Sequence, residues 1–355
     1  MINFRYHVVS IVAVFLALAI GLVLGATELQ GATLDTLNKT SASLASQLGS
    51  ARTQNKLLQQ QVNADQSFAQ DDEARLLGGL LTGQRVVVVA APGAPGSVVN
   101  GVTSAAQQAG ASVTGQVNLQ PKLLDASQSN QTFLSSLVQQ IVAQDATTPN
   151  GSPLQQAAEL LGSAILTKDS SPGSPGNGTG SGSGDASNRQ SVLSYYASAG
   201  LLSVSGPLSS SQSTAPATLA IVVIPSTAPS GGDNDPANQG LITLSQELNT
   251  AGLGTVMAGS VSGSLAGSAI DALRSSSVAS QISTVDNADT EFGQIVTVQA
   301  LWEALNGHKS GSYGEDSTSS AAAPTPAPSP STPTTTAHTS SKSQADGHPN
   351  SKGRS

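Results

Sequence analysis

An uncharged apolar segment near the N-terminus, residues 8–26, constrains this chain more than any other feature. It reads VVSIVAVFLALAIGLVLGA, with Ser10 as its only side-chain hydroxyl. Its length approaches the ~20 residues that cross a bilayer core as a helix. A cleaved signal peptide would have a shorter apolar region that ends in a small-residue cleavage site. We therefore predict an uncleaved transmembrane anchor over residues 1–26, with a cleaved signal peptide as the alternative.

The charges that flank this segment predict its orientation. Arg5 and His7 precede it, Glu28 follows it, and the next cation is Lys39. Positive residues tend to stay on the cytoplasmic side of a membrane. We expect a single-pass protein in the cell membrane with a cytoplasmic N-terminus. Residues 27–355 would then lie outside the cytoplasm, in the cell envelope.

A heptad pattern follows the anchor and predicts a coiled-coil stalk over residues 27–78. Asn55 occupies an a position of this pattern, where it fixes register and favours a dimer. We expect a homodimer or a hetero-oligomer with another envelope membrane protein. The alternative is a solvated helix that packs on its own globular domain, and we interpret Asp71, Asp72 and Glu73 as part of a solvated face. The predicted coiled-coil seam comprises Leu34, Leu37, Leu44, Leu48, Asn55, Leu58 and Val62.

Composition excludes several classes of function. Lys and Arg total 14 against 22 Asp and Glu, which gives a net charge of -8 and too few cations to follow a phosphate backbone, so no nucleic acid is expected as a partner. The chain has no Cys, two Met and four His. Disulfide scaffolds and thiol catalysis are excluded, and zinc or iron–sulfur sites are poorly supported.

Residues 79–315 read as one α/β domain. A β-branched run at 85–91 is followed by a Pro/Gly turn, a helix, a glycine and a second strand near 112–119. The same order returns from the apolar strand at 218–224, through a helix that starts at Asp235 and Pro236, to a strand near 254–258. Strands alternating with helices predict a mainly parallel, Rossmann-like sheet with helices on both faces.

Ligands of such folds bind beyond the carboxyl ends of the strands, but no nucleotide or nucleophile motif stands there. The acids near predicted strand ends are Asp233, Asp235, Asp286 and Asp289. Asp235 and Asp289 are better explained as helix N-caps, and Asp286 as a turn-forming residue. We therefore expect no enzyme and assign no catalytic, cofactor-binding or metal-ligating residue. An envelope enzyme that uses the strand-end crevice is the minor alternative.

Two segments have low sequence complexity. Residues 170–187 (SSPGSPGNGTGSGSGDAS) are dominated by Gly, Ser and Pro, which predicts a flexible insertion within the α/β domain. Residues 316–355 are rich in Pro, Ser and Thr, which predicts a disordered tail. His338 and His348 in that tail would bind Cu(II) only weakly without a third ligand.

Several stretches resemble the actinobacterial MctB family. They are the opening MINFRYHVVSIVAVFLALAIGLVLG, the leucine heptads, RVVVVAAPG, and the late run STVDNADTEFGQIVTVQALWEALNG followed by GSYG. The resemblance covers most of residues 1–314. It implies an envelope protein of copper transport, efflux or homeostasis, in which copper is a transported or sensed ion.

The residues themselves favour a different role. Copper(I) prefers Cys and Met ligands, and Met257, the one methionine beyond Met1, falls in a predicted core strand. A related branch of the family, similar to SteB, acts in cell separation. We therefore keep two hypotheses: a copper transport or homeostasis protein, and a non-catalytic envelope scaffold or regulator of cell separation that acts through its coiled coil.

Overall fold

The computed structural model describes residues 4–143, 149–169, 186–209, 215–260, 266–307 and 309–325. The chain divides into two compact units, residues 1–68 and 69–355. The first unit is dominated by a helix, α1 (Phe4–Leu77), whose last turns belong to the second unit. Within α1, Phe4–Gly25 has a mean hydropathy of 2.9 and is the one described helix that is long and apolar enough to cross a membrane.

The second unit alternates strands with helices. In chain order after α1, its described elements are β1 (Arg85–Ala90), α2 (Gly96–Gln108), β2 (Ser112–Leu119), α3 (Pro121–Leu124), α4 (Gln128–Val142), α5 (Pro153–Ile165), α6 (Ala186–Ser198), β3 (Leu202–Ser205), β4 (Leu219–Val223), α7 (Pro236–Ala251), β5 (Gly254–Ala258), α8 (Ala269–Arg274), β6 (Ser283–Val285), α9 (Glu291–Gly307) and β7 (Ser312–Tyr313).

The strands form a seven-stranded sheet in the order β3-β2-β1-β4-β5-β6-β7. All described neighbours are parallel except β2 and β3, which are antiparallel. The mainly parallel α/β sheet that the sequence predicts is thus confirmed. β3, α8 and the two-residue β7 were not among the predicted elements, because they are too short to show a clear periodicity.

Side chains of the central strands alternate between two apolar cores. Val87 and Val89 of β1 join the core beneath α4, α5 and α7, whereas Val86 and Val88 join the core beneath α2 and α9. All four are fully buried. A strand covered on both faces needs apolar residues at every position, which explains why its sequence is a continuous valine run. Met257 of β5 is also fully buried, as predicted.

The predicted low-complexity segments are largely outside the described residues. Residues 170–185 of the expected insertion and 326–355 of the expected tail fall there, while α6 already begins at Ala186. The first residues assigned to the tail differ from the prediction. Ala321 forms a parallel bridge with Tyr313, and Pro324 is buried. The ordered α/β domain therefore extends at least to Pro324, because this segment covers the β7 edge of the sheet.

Candidate functional site

A crevice lies where the direction of strand succession reverses. From β1 the chain continues to β2 on one side, and from β4 it continues to β5 on the other side. The loops that follow β1 and β4 therefore diverge, and this is where open α/β sheets bind their ligands. The crevice has a volume of about 750 Å³. Its lining includes Pro92 and Gly93 after β1, Leu124 and Asp125 after β2, and Pro225 after β4.

Asp235 and Asn238 form one wall of the crevice, and both side chains form hydrogen bonds with backbone groups. One carboxylate oxygen of Asp235 accepts a hydrogen bond from the amide of Ala237 (2.9 Å), and the other accepts one from the amide of Gly231 (3.2 Å). The predicted N-cap of α7 is thus confirmed. The Asn238 amide donates to the carbonyl oxygens of Gly232 (3.0 Å) and Gly267 (2.8 Å), which ties the loop after β4 to the loop before α8.

Asp125 is the second carboxylate of the crevice. It accepts hydrogen bonds from the amide and from the hydroxyl of Ser127, both at 2.9 Å. These bonds lower the pKa of Asp125 below its ordinary value, so the group is ionised at neutral pH. Ser127 in turn caps α4 through the amide of Asn130. The crevice is consequently an apolar, proline-rich cleft whose two carboxylates are already engaged in holding helix starts and turns.

Asp286 lies at the end of β6 and is fully buried. It forms an ion pair with Arg274 of α8 at 3.0 Å, and the Arg274 side chain is only 5% exposed. Asp286 also accepts hydrogen bonds from the amide of Glu315 (2.8 Å) and the hydroxyl of Ser319 (2.6 Å). The expectation of a simple turn-forming residue is therefore wrong. The ion pair was not predicted from the sequence, since Arg274 lies on a helix that was not predicted.

The Gly-x-Tyr-Gly segment completes this cluster. Gly314 has φ +129°, and a Cβ atom there would collide with the Asp286 carboxylate, so only glycine fits. The carbonyl oxygen of Tyr313 accepts a hydrogen bond from Arg274 (2.9 Å), and its hydroxyl donates to Glu303 of α9. Burial and this bond to Glu303 raise the pKa of Tyr313. Asp286, Arg274 and the Gly311–Gly314 segment thus form a buried cluster at the β7 edge of the sheet, which we call the Asp286 clamp.

Asp289 is not the N-cap of α9 that the sequence predicts. The side chain of Thr290 takes that role, because its hydroxyl accepts a hydrogen bond from the amide of Gly293 (3.1 Å). Desolvation, together with the neighbouring carboxylates of Glu315 and Asp286, raises the pKa of Asp289. Two adjacent residues could each cap a helix, and the local sequence does not decide between them.

Glu73, expected on a solvated face, is only 6% exposed. Burial raises the pKa of its carboxyl group above the ordinary value, a hydrogen bond from Gln108 opposes that shift, and the charge of Glu291 adds to it. Asp72 instead forms an exposed ion pair with Arg75 at 2.9 Å. The acidic run therefore has one member inside the domain, which helical spacing from Ala69 and Leu77, both buried, explains.

The predicted seam residues from Leu37 to Val62 share a different environment: they project from α1 into solvent. The side chain of Leu34 lies outside the described residues, and every residue from Asp35 to Asp65 is exposed. The exposed fractions are 68% for Leu37, 54% for Leu44, 55% for Leu48, 58% for Leu58 and 51% for Val62. Asn55 is exposed as well. Nothing in this single chain tests the predicted coiled coil, which stays a prediction.

Copper would enter as cargo, and its preferred donors are thiolate, thioether and imidazole groups. The described part of the chain contains no group of three or more His, Cys, Asp or Glu side chains placed to hold a metal ion. Met257 lies inside β5 without exposed surface. His308, His338 and His348 lie outside the described residues.

The similarity to known proteins extends over both α1 and the α/β domain. The profile of the family described as "Copper transport outer membrane protein, MctB" matches residues 1–324. Proteins named copper transporter MctB from Mycobacterium tuberculosis and Mycobacterium bovis are each 30% identical over 327 residues, which cover 88% of this chain and 96% of the relative. The protein of that name from Mycobacterium leprae is 32% identical over 325 residues, with the same coverage. This chain belongs to the MctB copper transport protein family.

Proposed function

We propose that this protein acts in copper transport, efflux or homeostasis as a non-catalytic, membrane-anchored protein of the cell envelope. One observation carries the proposal: similarity to the named copper transporters runs through 88% of the chain. The family profile matches residues 1–324, a range that includes the apolar helix, the heptads and the whole α/β sheet. The relatives are named as transporters. The two crevice carboxylates of this chain hold the start of a helix (Asp235) and a turn (Asp125), which agrees with a role without chemistry.

Membrane topology is the first part of this proposal. The apolar helix Phe4–Gly25 would anchor the chain, with the N-terminus in the cytoplasm and the α/β domain in the envelope. The chain has no cysteine, so a single introduced thiol reports its own side of the membrane. In intact cells, Ser280→Cys in the exposed part of the domain should react with a membrane-impermeant maleimide. Labelling only after cell lysis would contradict this topology.

Deletion of the gene in its native host tests the copper role. We expect the deletion strain to accumulate copper and to stop growing at a lower external copper concentration. The full chain should restore tolerance, and so should the Mycobacterium tuberculosis relative. Unchanged tolerance and unchanged copper content would contradict the proposal.

A second candidate function is a scaffold or regulator of cell separation. The observation that favours it is the row of exposed apolar side chains on α1 between Leu37 and Val62, which is suited to protein association. The same deletion strain separates the two candidates. Chains of unseparated cells with normal copper tolerance would favour the scaffold, and copper sensitivity in normally separated cells would favour transport.

Calorimetric titration of the full chain in detergent, with Cu(I) and Cu(II) at buffered free concentrations, distinguishes direct from indirect handling of copper. Tight, stoichiometric binding would assign the metal to this chain. If the deletion strain is copper-sensitive and the purified chain binds no copper, the role is exerted through other envelope components.

A further inference from the structure

The exposed heptad face of α1 lies between Leu37 and Val62. We infer that its partner is a second copy of this chain, aligned parallel and in register. This inference concerns assembly and does not depend on the copper role. It rests on the low stability of a single helix of this sequence, on the positions of its charged residues, and on Asn55 in the seam.

The helix segment 35–65 has a sequence poorly suited to a stable lone helix in water. Its sequence is rich in Ser, Thr, Asn and Gln, and it contains Gly49, which costs about 1 kcal/mol relative to alanine in a helix interior. The hydroxyls of Thr40 and Thr53 bond back to carbonyl oxygens four residues earlier, at 2.8 and 2.9 Å, a pattern that slightly destabilises a helix. Isolated helices are marginal in water, and packing of an apolar face supplies most of their stability. A partner helix packed against the exposed leucines would supply this stability here.

The flanks of the seam carry almost no charge. With Leu34 at position a, the e and g positions from 38 to 61 hold Asn, Thr, Ala, Gln and one charged residue, Arg52. In a parallel pair, Arg52 at e would face Gln47 at g of the other chain, so like charges do not meet. Asp35, Lys39 and Lys56 fall at the outward b and f positions. Charges at e and g positions normally determine which chains can pair. Because this helix has only one such charge, repulsion between like charges does not oppose pairing of two identical chains.

Asn55 supplies the register. A buried asparagine at an a position is best satisfied by the same asparagine of an aligned parallel chain, and it favours two strands. Leu at three d positions, residues 37, 44 and 58, also suits a parallel dimer. The charged Asp65 takes the d position after Leu58 and is unsuited to a seam. The paired segment therefore ends near Val62.

Cysteine crosslinking of the full chain in native membranes tests this inference, since the chain has no thiol of its own. Leu44→Cys and Ala51→Cys place a thiol at d positions, and Ser46→Cys is the matched control at an outward f position. A disulfide requires Cα atoms within about 7 Å. On mild oxidation, we expect a species of twice the chain mass from the two d variants, at about ten times the yield of the f variant.

Three results would overturn the inference. The first is equal yield from Leu44→Cys and Ser46→Cys, which would indicate random collision. The second is no dimer from either d variant although a maleimide shows that its thiol is accessible. The third is an adduct whose mass identifies a different protein. As a further check, Asn55→Leu should change the stoichiometry of the full chain in detergent or strengthen its association, because it removes the register residue. An unchanged association would contradict the role given to Asn55.

Discussion

The α/β domain and the helix segment 35–65 obtain stability in opposite ways. Leu219 in β4 is fully buried, whereas Leu48 in α1 is 55% exposed. The domain has two apolar cores, and among its described buried polar side-chain atoms only Thr255 Oγ1, Ser260 Oγ and Asn287 Oδ1 lack a hydrogen bond. The helix segment exposes every side chain. The difference teaches that the domain buries its apolar residues within one chain, while the helix segment leaves its leucines exposed.

The largest expected effect contrasts a buried and an exposed ion pair. Asp286→Ala leaves the buried Arg274 guanidinium without its counter-ion, and loss of one partner of a buried pair costs about 3–5 kcal/mol. Asp35→Ala, which removes the exposed Lys39–Asp35 contact at 4.0 Å, should change stability by less than about 0.5 kcal/mol. Urea unfolding of the full chain in detergent, followed by the fluorescence of Trp302, measures both. If Asp286→Ala lowers the free energy of unfolding by less than about 1 kcal/mol, the Asp286 clamp contributes little to the stability of the domain.

A second contrast uses the same kind of truncation in both regions. Ile221→Ala in the fully buried β4 should lower the free energy of unfolding of the domain by about 2–5 kcal/mol, since it opens a cavity. Leu48→Ala should leave that unfolding transition within about 0.5 kcal/mol of the wild type. It should weaken association of the chain instead. Equal destabilisation of the domain by both substitutions would break the comparison.

Helix capping predicts a smaller effect. Asp235→Ala removes the acceptor for the amides of Ala237 and Gly231, and loss of an N-cap costs about 1 kcal/mol. Asp235→Asn should retain part of that stability, because asparagine caps helices about as well as aspartate but has no second oxygen for the Gly231 amide. Urea unfolding of the two variants provides the comparison. Equal losses would show that the second carboxylate oxygen and its charge matter more than the cap.

The smallest expected effect depends on pH. The pKa of Glu73 is raised above its ordinary value of 4.5 by burial, so ionisation of Glu73 costs folding free energy. The protonated form of Glu73 contributes to the stability of the fold. This contribution is fully present below pH 4.5 and is lost as the pH rises through the raised pKa. Glu73→Gln should therefore raise Tm at pH 7 and leave it unchanged at pH 3.5, as measured by thermal unfolding of the full chain. A higher Tm at both pH values would assign the gain to packing.

Prediction from the sequence succeeded where the signal is local. The valine run of β1 and the Asp235–Pro236 start of α7 are recognisable within a few residues, and both stand where they were expected. Prediction failed where two distant segments meet. Arg274 and Asp286 are joined only because α8 packs beside β6. The cap of α9 was mispredicted for a local reason, since Asp289 and Thr290 are adjacent and either could cap the helix.

By itself, the sequence determined the apolar N-terminal helix, the heptad face and the class of the domain, because the period of apolar residues sets the type of each element and the face it buries. The tertiary structure alone decided the strand order, the crevice between the loops after β1 and β4, and the clamp around Asp286. These features depend on contacts between residues far apart in the chain. Their energies come from burial and from hydrogen bonds that exist only once the sheet is assembled.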